Sequence, residues 1–69
     1  MGYNYDKLRG KIREKFKTES AFALAIAMST RTLSLKLNGE RDWRQAEIDR
    51  ACELLDVKRE DIPYYFFAQ

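Results

Sequence analysis

Apolar residues recur at helical spacing over the first part of the chain. Tyr5, Leu8, Ile12 and Phe16 fall at i, i+3, i+7 and i+11, one stripe of a helix. Lys7, Arg9, Lys11, Arg13, Lys15 and Lys17 fill its other sides, and Asn4 or Asp6 is placed to cap its start. The next stretch carries two patterns at once. Phe22, Leu24, Ile26 and Met28 alternate with Ala21, Ala23, Ala25 and Ala27, as in a half-buried strand. Alanine, however, is the best helix former and a poor strand former, and a single strand among helices has no partner. A helix is therefore expected over 19–26, capped by Thr18. Ser29 then caps a third helix over 30–38, which Gly39 ends in the left-handed conformation. Asp42 and Gln45 have the spacing of a capping box for a fourth helix, and Trp43 precedes it as a staple. Ile48, Ala51, Cys52 and Leu55 form the core-facing stripe of that helix, and Glu47, Asp49, Arg50 and Glu53 read as its surface partners. A short fifth helix is expected around 59–62, followed by Pro63 and an aromatic tail, Tyr64 to Phe67. One pair of the tail is expected in the core and the other at an interface.

The spacing within residues 19–39 adds a tertiary expectation. Ala23 is a small residue where two short helices cross, Ala27 is small for the tight turn, and Leu33 is the apolar side chain that locks the second helix on the first. Asn38-Gly39 closes the unit. This is the spacing of a helix-turn-helix whose second helix faces outward, as a nucleic-acid reader would.

The run Met28-Ser29-Thr30-Arg31-Thr32-Leu33-Ser34-Leu35-Lys36-Leu37-Asn38-Gly39 resembles the motif "I-S-x-S-T-L-S-x-K-L-N-G" of phage repressors, Cro proteins and the broader Xre-type regulators. Glu47-Ile48 and the ending Ile62-Pro63-Tyr64-Tyr65-Phe66-Phe67 are similar to small regulators of Gram-positive temperate phages, within them the Cro-like modulators of repression of lactococcal phages. The resemblance covers nearly the whole chain. It implies an all-α, compact five-helix lambda-repressor-like domain over residues 1–69, with the helix-turn-helix at helices 2–3. It also implies that Thr30, Arg31, Ser34, Leu35 and Asn38 face outward on the third helix. Arg31 has the reach to take a guanine edge or a phosphate, and Thr30, Ser34 and Asn38 can bond backbone or bases. Lys17, Lys36, Arg41 and Arg44 are expected to touch phosphates or steer a charged partner, together with the basic residues of the first helix.

Three departures from the pattern bear on function. Ala27 stands where the family has glycine, which costs about 1 kcal/mol if the turn needs positive φ. Glu19 stands where a glutamine often reaches a phosphate. Leu35 and Leu24 occupy outward positions usually held by polar side chains, which suggests a contiguous apolar patch.

Charge and composition narrow the partners. The net charge is only +2, but residues 1–44 carry ten Lys/Arg against five Asp/Glu, and residues 45–69 carry three against six. A basic front and an acidic back suit a protein that docks one face on a polyanion. The chain has no histidine and one cysteine, Cys52, which points to a reducing, cytoplasmic setting and to a fold without metal or disulfide support. Ala21 to Met28, the longest apolar run, is far short of the ~20 residues of a membrane span. No Gly-rich phosphate loop is present and Cys52 has no base partner, so enzymatic activity, cofactors and small-molecule ligands are not expected.

Two mechanisms follow from the resemblance. In one, the chain is a Cro-type repressor that binds operator double-stranded DNA as a homodimer. In the other, favoured by the low basicity, Glu19 and the two leucines, it is an antirepressor that holds the phage repressor protein through its helix-turn-helix face, with operator co-binding allowed.

Overall fold

The computed structural model describes residues 3–68; the ends of the expected 1–69 domain lie outside them. Five α-helices and one 3₁₀ turn follow one another: α1 (Asp6–Phe16), α2 (Glu19–Ala25), α3 (Thr30–Leu37), α4 (Gln45–Leu55), the turn Arg59–Asp61 and α5 (Ile62–Phe66). There is no strand among the described residues. The alternating stretch after Thr18 is thus a helix, because its period-3.6 set, Phe22, Ala23 and Ile26, meets the core while Leu24 does not.

Local sequence sets most of the boundaries. Asn4 Oδ1 accepts from the Asp6 N–H at 2.8 Å and opens α1. Thr18 Oγ1 accepts from Ala21 N–H and Ser29 Oγ from Thr32 N–H, each at 3.1 Å, so both expected caps form. Two helices end on the same device. After α2, Ala27 N–H bonds the Leu24 carbonyl and Met28 N–H the Ala23 carbonyl. After α3, Gly39 N–H bonds Lys36 and Glu40 N–H bonds Leu35. Both are Schellman closures, which need a left-handed residue at the bend. Gly39 supplies it at φ 79° and Ala27 at φ 60°.

The core gathers the inner faces of all five helices: Leu8 and Ile12 of α1, Phe22 and Ala23 of α2, Leu33 and Leu37 of α3, Ile48, Ala51 and Leu55 of α4, and Phe66 of α5. Ala23 is buried, as a close α2 crossing requires. Phe16 packs edge-on against Phe22, with ring centroids 5.3 Å apart.

Three expectations need correction. The fifth helix does not stop before Pro63. Proline lies in the first turn of α5, where its missing N–H costs nothing, and the helix runs on to Phe66. The aromatic tail is consequently sorted by helical angle and not by pairs. Phe66 is buried against Trp43, Tyr65 is half-buried, and Tyr64 and Phe67 are exposed. Second, the cap of α4 lies two residues further on than Asp42 and Gln45. Arg44 is the N-cap, and the Glu47 carboxylate accepts its backbone N–H at 2.8 Å. Third, Glu47 is not a surface partner within its helix but pairs with α3. Trp43 precedes the cap as expected, half-buried, with its Nε1 buried and without a hydrogen-bond partner among the described residues.

Candidate functional site: the outward face of α2 and α3

The inner side of α3 is fixed by Leu33, Lys36 and Leu37, all buried. At 100° per residue the opposite side carries Arg31, Leu35 and Asn38, with Ser34 at its edge, while Thr30 is in line with Leu33 and Leu37 at the helix start. Thr30, Arg31 and Asn38 are exposed, while Ser34 and Leu35 are half-covered. On α2 the burial of Phe22 and Ala23 turns Leu24 outward. It is 84% exposed, far more than any other large apolar side chain described. Ala21 and Ala27, three residues on either side, are exposed with it, and Met28 is half-buried. The aromatic tail does not cover Leu24. The patch expected at Leu24 and Leu35 thus centres on the α2 side, with Leu35 half-covered.

Four of the five expected cations outside α1 behave alike. Arg31, Arg41, Arg44 and Lys17 are exposed and make no ion pair with Asp or Glu among the described residues. Arg41 and Arg44 share the rim of an open groove of ≈ 500 Å³ with Thr32 of α3.

Lys36 does not belong with them. It was expected to steer or contact phosphate, but it is 3% exposed. Its Nζ donates to the Asp42 carbonyl at 2.8 Å and pairs with Glu47 Oε1 at 2.8 Å. The Trp43 ring lies 6.0 Å away. A buried ammonium persists only when paired and hydrogen-bonded, and both conditions hold here. Burial opposes ionisation of Glu47, but the Arg44 N–H and the Lys36 ammonium together outweigh it and hold the carboxyl below its ordinary range. The pair fastens α3 to α4 behind the outward face.

Arg9 is expected only as one of the basic residues of the first helix that touch phosphate, and the structure pairs it instead. It lies on α1, outside the 19–39 motif, and nothing local in the chain marks it. Its Nη1 donates to Glu19 Oε2 at 2.9 Å and its Nη2 to Asn38 Oδ1 at 2.6 Å. One guanidinium therefore ties α1 to the first turn of α2 and to the C-cap of α3. Glu19, expected as a free anion on this face, is paired, and the carbonyl of Asn38 is engaged. A second pair, Lys15 to Asp56 at 3.1 Å, joins α1 to the end of α4 well away from the face.

Other reactive groups give no competing site. Burial first, and then the Asp49 carboxylate, push the half-buried Cys52 thiol up, which lowers its thiolate fraction at neutral pH. No group of three His, Cys, Asp or Glu among the described residues is placed to hold a metal. No helix of the described residues is long and apolar enough to cross a membrane.

Known proteins resemble the chain in both sequence and shape. The solution structure of the modulator of repression (MOR) of the temperate bacteriophage TP901-1 from Lactococcus lactis is 48% identical. The match covers 97% of this chain and 90% of that one, with a TM-score of 0.84. No curated protein sequence matches significantly. A family model described as "Protein of unknown function (DUF739)" matches residues 1–69. From its first residue to its last, the chain belongs to the DUF739 family.

Proposed function

We propose that the chain is a modulator of repression of a temperate phage, and that its α2–turn–α3 unit is a helix-turn-helix of the phage-repressor type which binds the phage repressor protein. The observation that carries this reading is Leu24. A leucine 84% exposed, flanked by exposed Ala21 and Ala27, offers apolar contact area on the face where a polyanion reader needs donors. Arg31 and Lys17 supply free positive charge for steering an acidic rim on the partner. The similarity to the TP901-1 modulator supports a role in the phage repression switch. The protein acts by binding and carries out no chemical step.

One observation favours the second reading, a Cro-type operator binder. Arg31, Arg41, Arg44 and Lys17 are exposed and outside ion pairs, as phosphate contacts would be. The two readings separate in one experiment. The purified chain is mixed with the repressor of the same phage, and the mass of the complex is read by light scattering. A heterodimer is expected, and Leu24→Asp is expected to abolish it while leaving the fold intact. If Leu24→Asp binds the repressor like the parent, the proposed face is wrong. If no complex forms and operator DNA binds with a steep salt dependence, the Cro-type reading replaces this one.

A further inference from the structure

We infer that Arg9, Glu19 and Asn38 form a clamp that sets which ligand the outward face accepts, admitting a protein surface and turning away a nucleic-acid backbone. The inference rests on the reading of this face as protein-binding and adds the device that keeps polyanions off it.

The guanidinium of Arg9 has one donor engaged on each of its two terminal nitrogens. Nη1 donates to Glu19 Oε2 at 2.9 Å and Nη2 to Asn38 Oδ1 at 2.6 Å. The Arg9 and Glu19 side chains are only 25% and 24% exposed, so salt screens their contact less than it screens an open surface pair. Glu19 lies in the first turn of α2, where the helix dipole also favours a carboxylate. Asn38 caps the far end of α3 and lies on the outward side with Arg31 and Leu35. The clamp thus sits at the edge of the face itself.

Its chemical effect is to neutralise a cation. The forked donors of arginine match a phosphate as well as they match a carboxylate, and here one of them is held by the Glu19 carboxylate, which also offsets the charge, and another by the Asn38 amide. A phosphate approaching Lys17, two residues before Glu19, meets that carboxylate as well. On the α2–turn–α3 stretch, 17–38, Lys17 and Arg31 are then the cations left free, which is few for binding whose strength scales with the number of neutralised phosphates. A protein that seats an apolar group against Leu24 meets no such obstacle, because the neutral clamp forms part of an ordinary polar rim.

Glu19→Gln removes the charge, keeps the shape and frees Arg9. Binding to random-sequence duplex DNA is measured by fluorescence anisotropy between about 0.05 and 0.2 M salt. Glu19→Gln is expected to bind several-fold more tightly than the parent at the low-salt end, with a log–log salt slope steeper by about one. Glu19→Asp, which keeps the carboxylate, is expected to match the parent. Asn38→Ala, which releases one edge of the guanidinium, is the second variant and is expected to gain DNA affinity to a smaller extent. A folded Glu19→Gln protein with the parent's affinity and slope overturns the clamp. If Glu19→Gln does not fold, unchanged DNA binding by Asn38→Ala overturns it equally. The result is separable from the choice of partner. If the parent captures the repressor and neither variant gains DNA affinity, only the clamp fails. If the variants gain DNA affinity and the parent captures no repressor, the clamp stands and the protein-binding reading fails.

Discussion

Leu24 and Leu33 stand on neighbouring helices of one turn-linked unit and meet opposite environments. Leu33 is fully buried beneath α3, and Leu24 is 84% exposed on α2. The same division separates the cations of α3. Arg31 reaches solvent, while Lys36, five residues on, is locked between the Asp42 carbonyl and Glu47. The inner half of the unit is therefore held by packing and one buried ion pair, and the outer half is left unsatisfied. If the outer face binds the repressor as proposed, stability and recognition belong to different faces of the same two helices, and substitutions on each should affect one property and spare the other.

The strongest test is the leucine pair itself. Leu33→Ala is expected to cost about 3 kcal/mol, through lost transfer energy and a cavity. In a domain of this size that lowers the melting temperature by more than about 10 °C. Leu24→Ala is expected to change stability by less than about 0.5 kcal/mol while weakening repressor capture by about 2 kcal/mol or more, near thirtyfold. Thermal denaturation and titration calorimetry on the two variants check this directly. Equal stability losses would dissolve the distinction between faces.

The buried pair comes next. Glu47→Ala is expected to cost about 2–3 kcal/mol, because it strands a buried ammonium and also removes the acceptor for the Arg44 N–H. The double variant Lys36→Met/Glu47→Gln keeps the cap, buries no charge and is expected to lose under about 1 kcal/mol. Urea unfolding of the three proteins measures the difference.

The two Schellman bends offer a smaller and symmetrical comparison. Ala27→Gly relieves a non-glycine residue at φ 60° and is expected to stabilise by about 0.5–1 kcal/mol. Gly39→Ala is expected to destabilise by about 1 kcal/mol through backbone strain alone, since the added Cβ would meet its nearest neighbour, the Tyr3 carbonyl, only at 3.9 Å. Opposite signs in the melting temperatures confirm that the two turns are one device built from different residues.

Acid titration gives the mildest effect. The carboxyl of Glu47 is depressed in the folded state, so its contribution is fully present above the unfolded value, about 4.3, and is lost as pH falls through the folded value. Below about pH 4.3 the parent should therefore lose stability more steeply than Glu47→Gln, with urea midpoints as the readout.

Local chemistry made much of this legible along the chain. Thr18, Ser29 and Gly39 have short-range partners, each three residues away, and the structure uses each as the spacing indicates. Ala27 was identifiable as the bend from its spacing, four residues after Ala23 and six before Leu33. The misreadings have different causes, one tertiary and two local. Lys36 looks like any helix-surface lysine until α4 brings Glu47 beside it. The capping pair Arg44 and Glu47 was hidden by the more conventional Asp42 and Gln45. The tail after Pro63 resembled an extended end because proline usually terminates helices, though it is also at home in their first turn.

The order of residues by itself determined an all-helical chain, the starts and stops of α2 and α3 through Thr18, Ser29 and Gly39, and the small residues at the α2–α3 crossing. Each of these depends on interactions within a turn or two of one helix, which the order of residues specifies. Only the tertiary structure decided which charges are spent and which are available. Lys36 met Glu47 eleven residues away, and Arg9 met Glu19 and Asn38 ten and twenty-nine away. Pairing of this kind depends on how helices cross, and a crossing is settled by packing the whole core at once. The exposed leucine and the neutralised arginine that give the outward face its character are products of that packing.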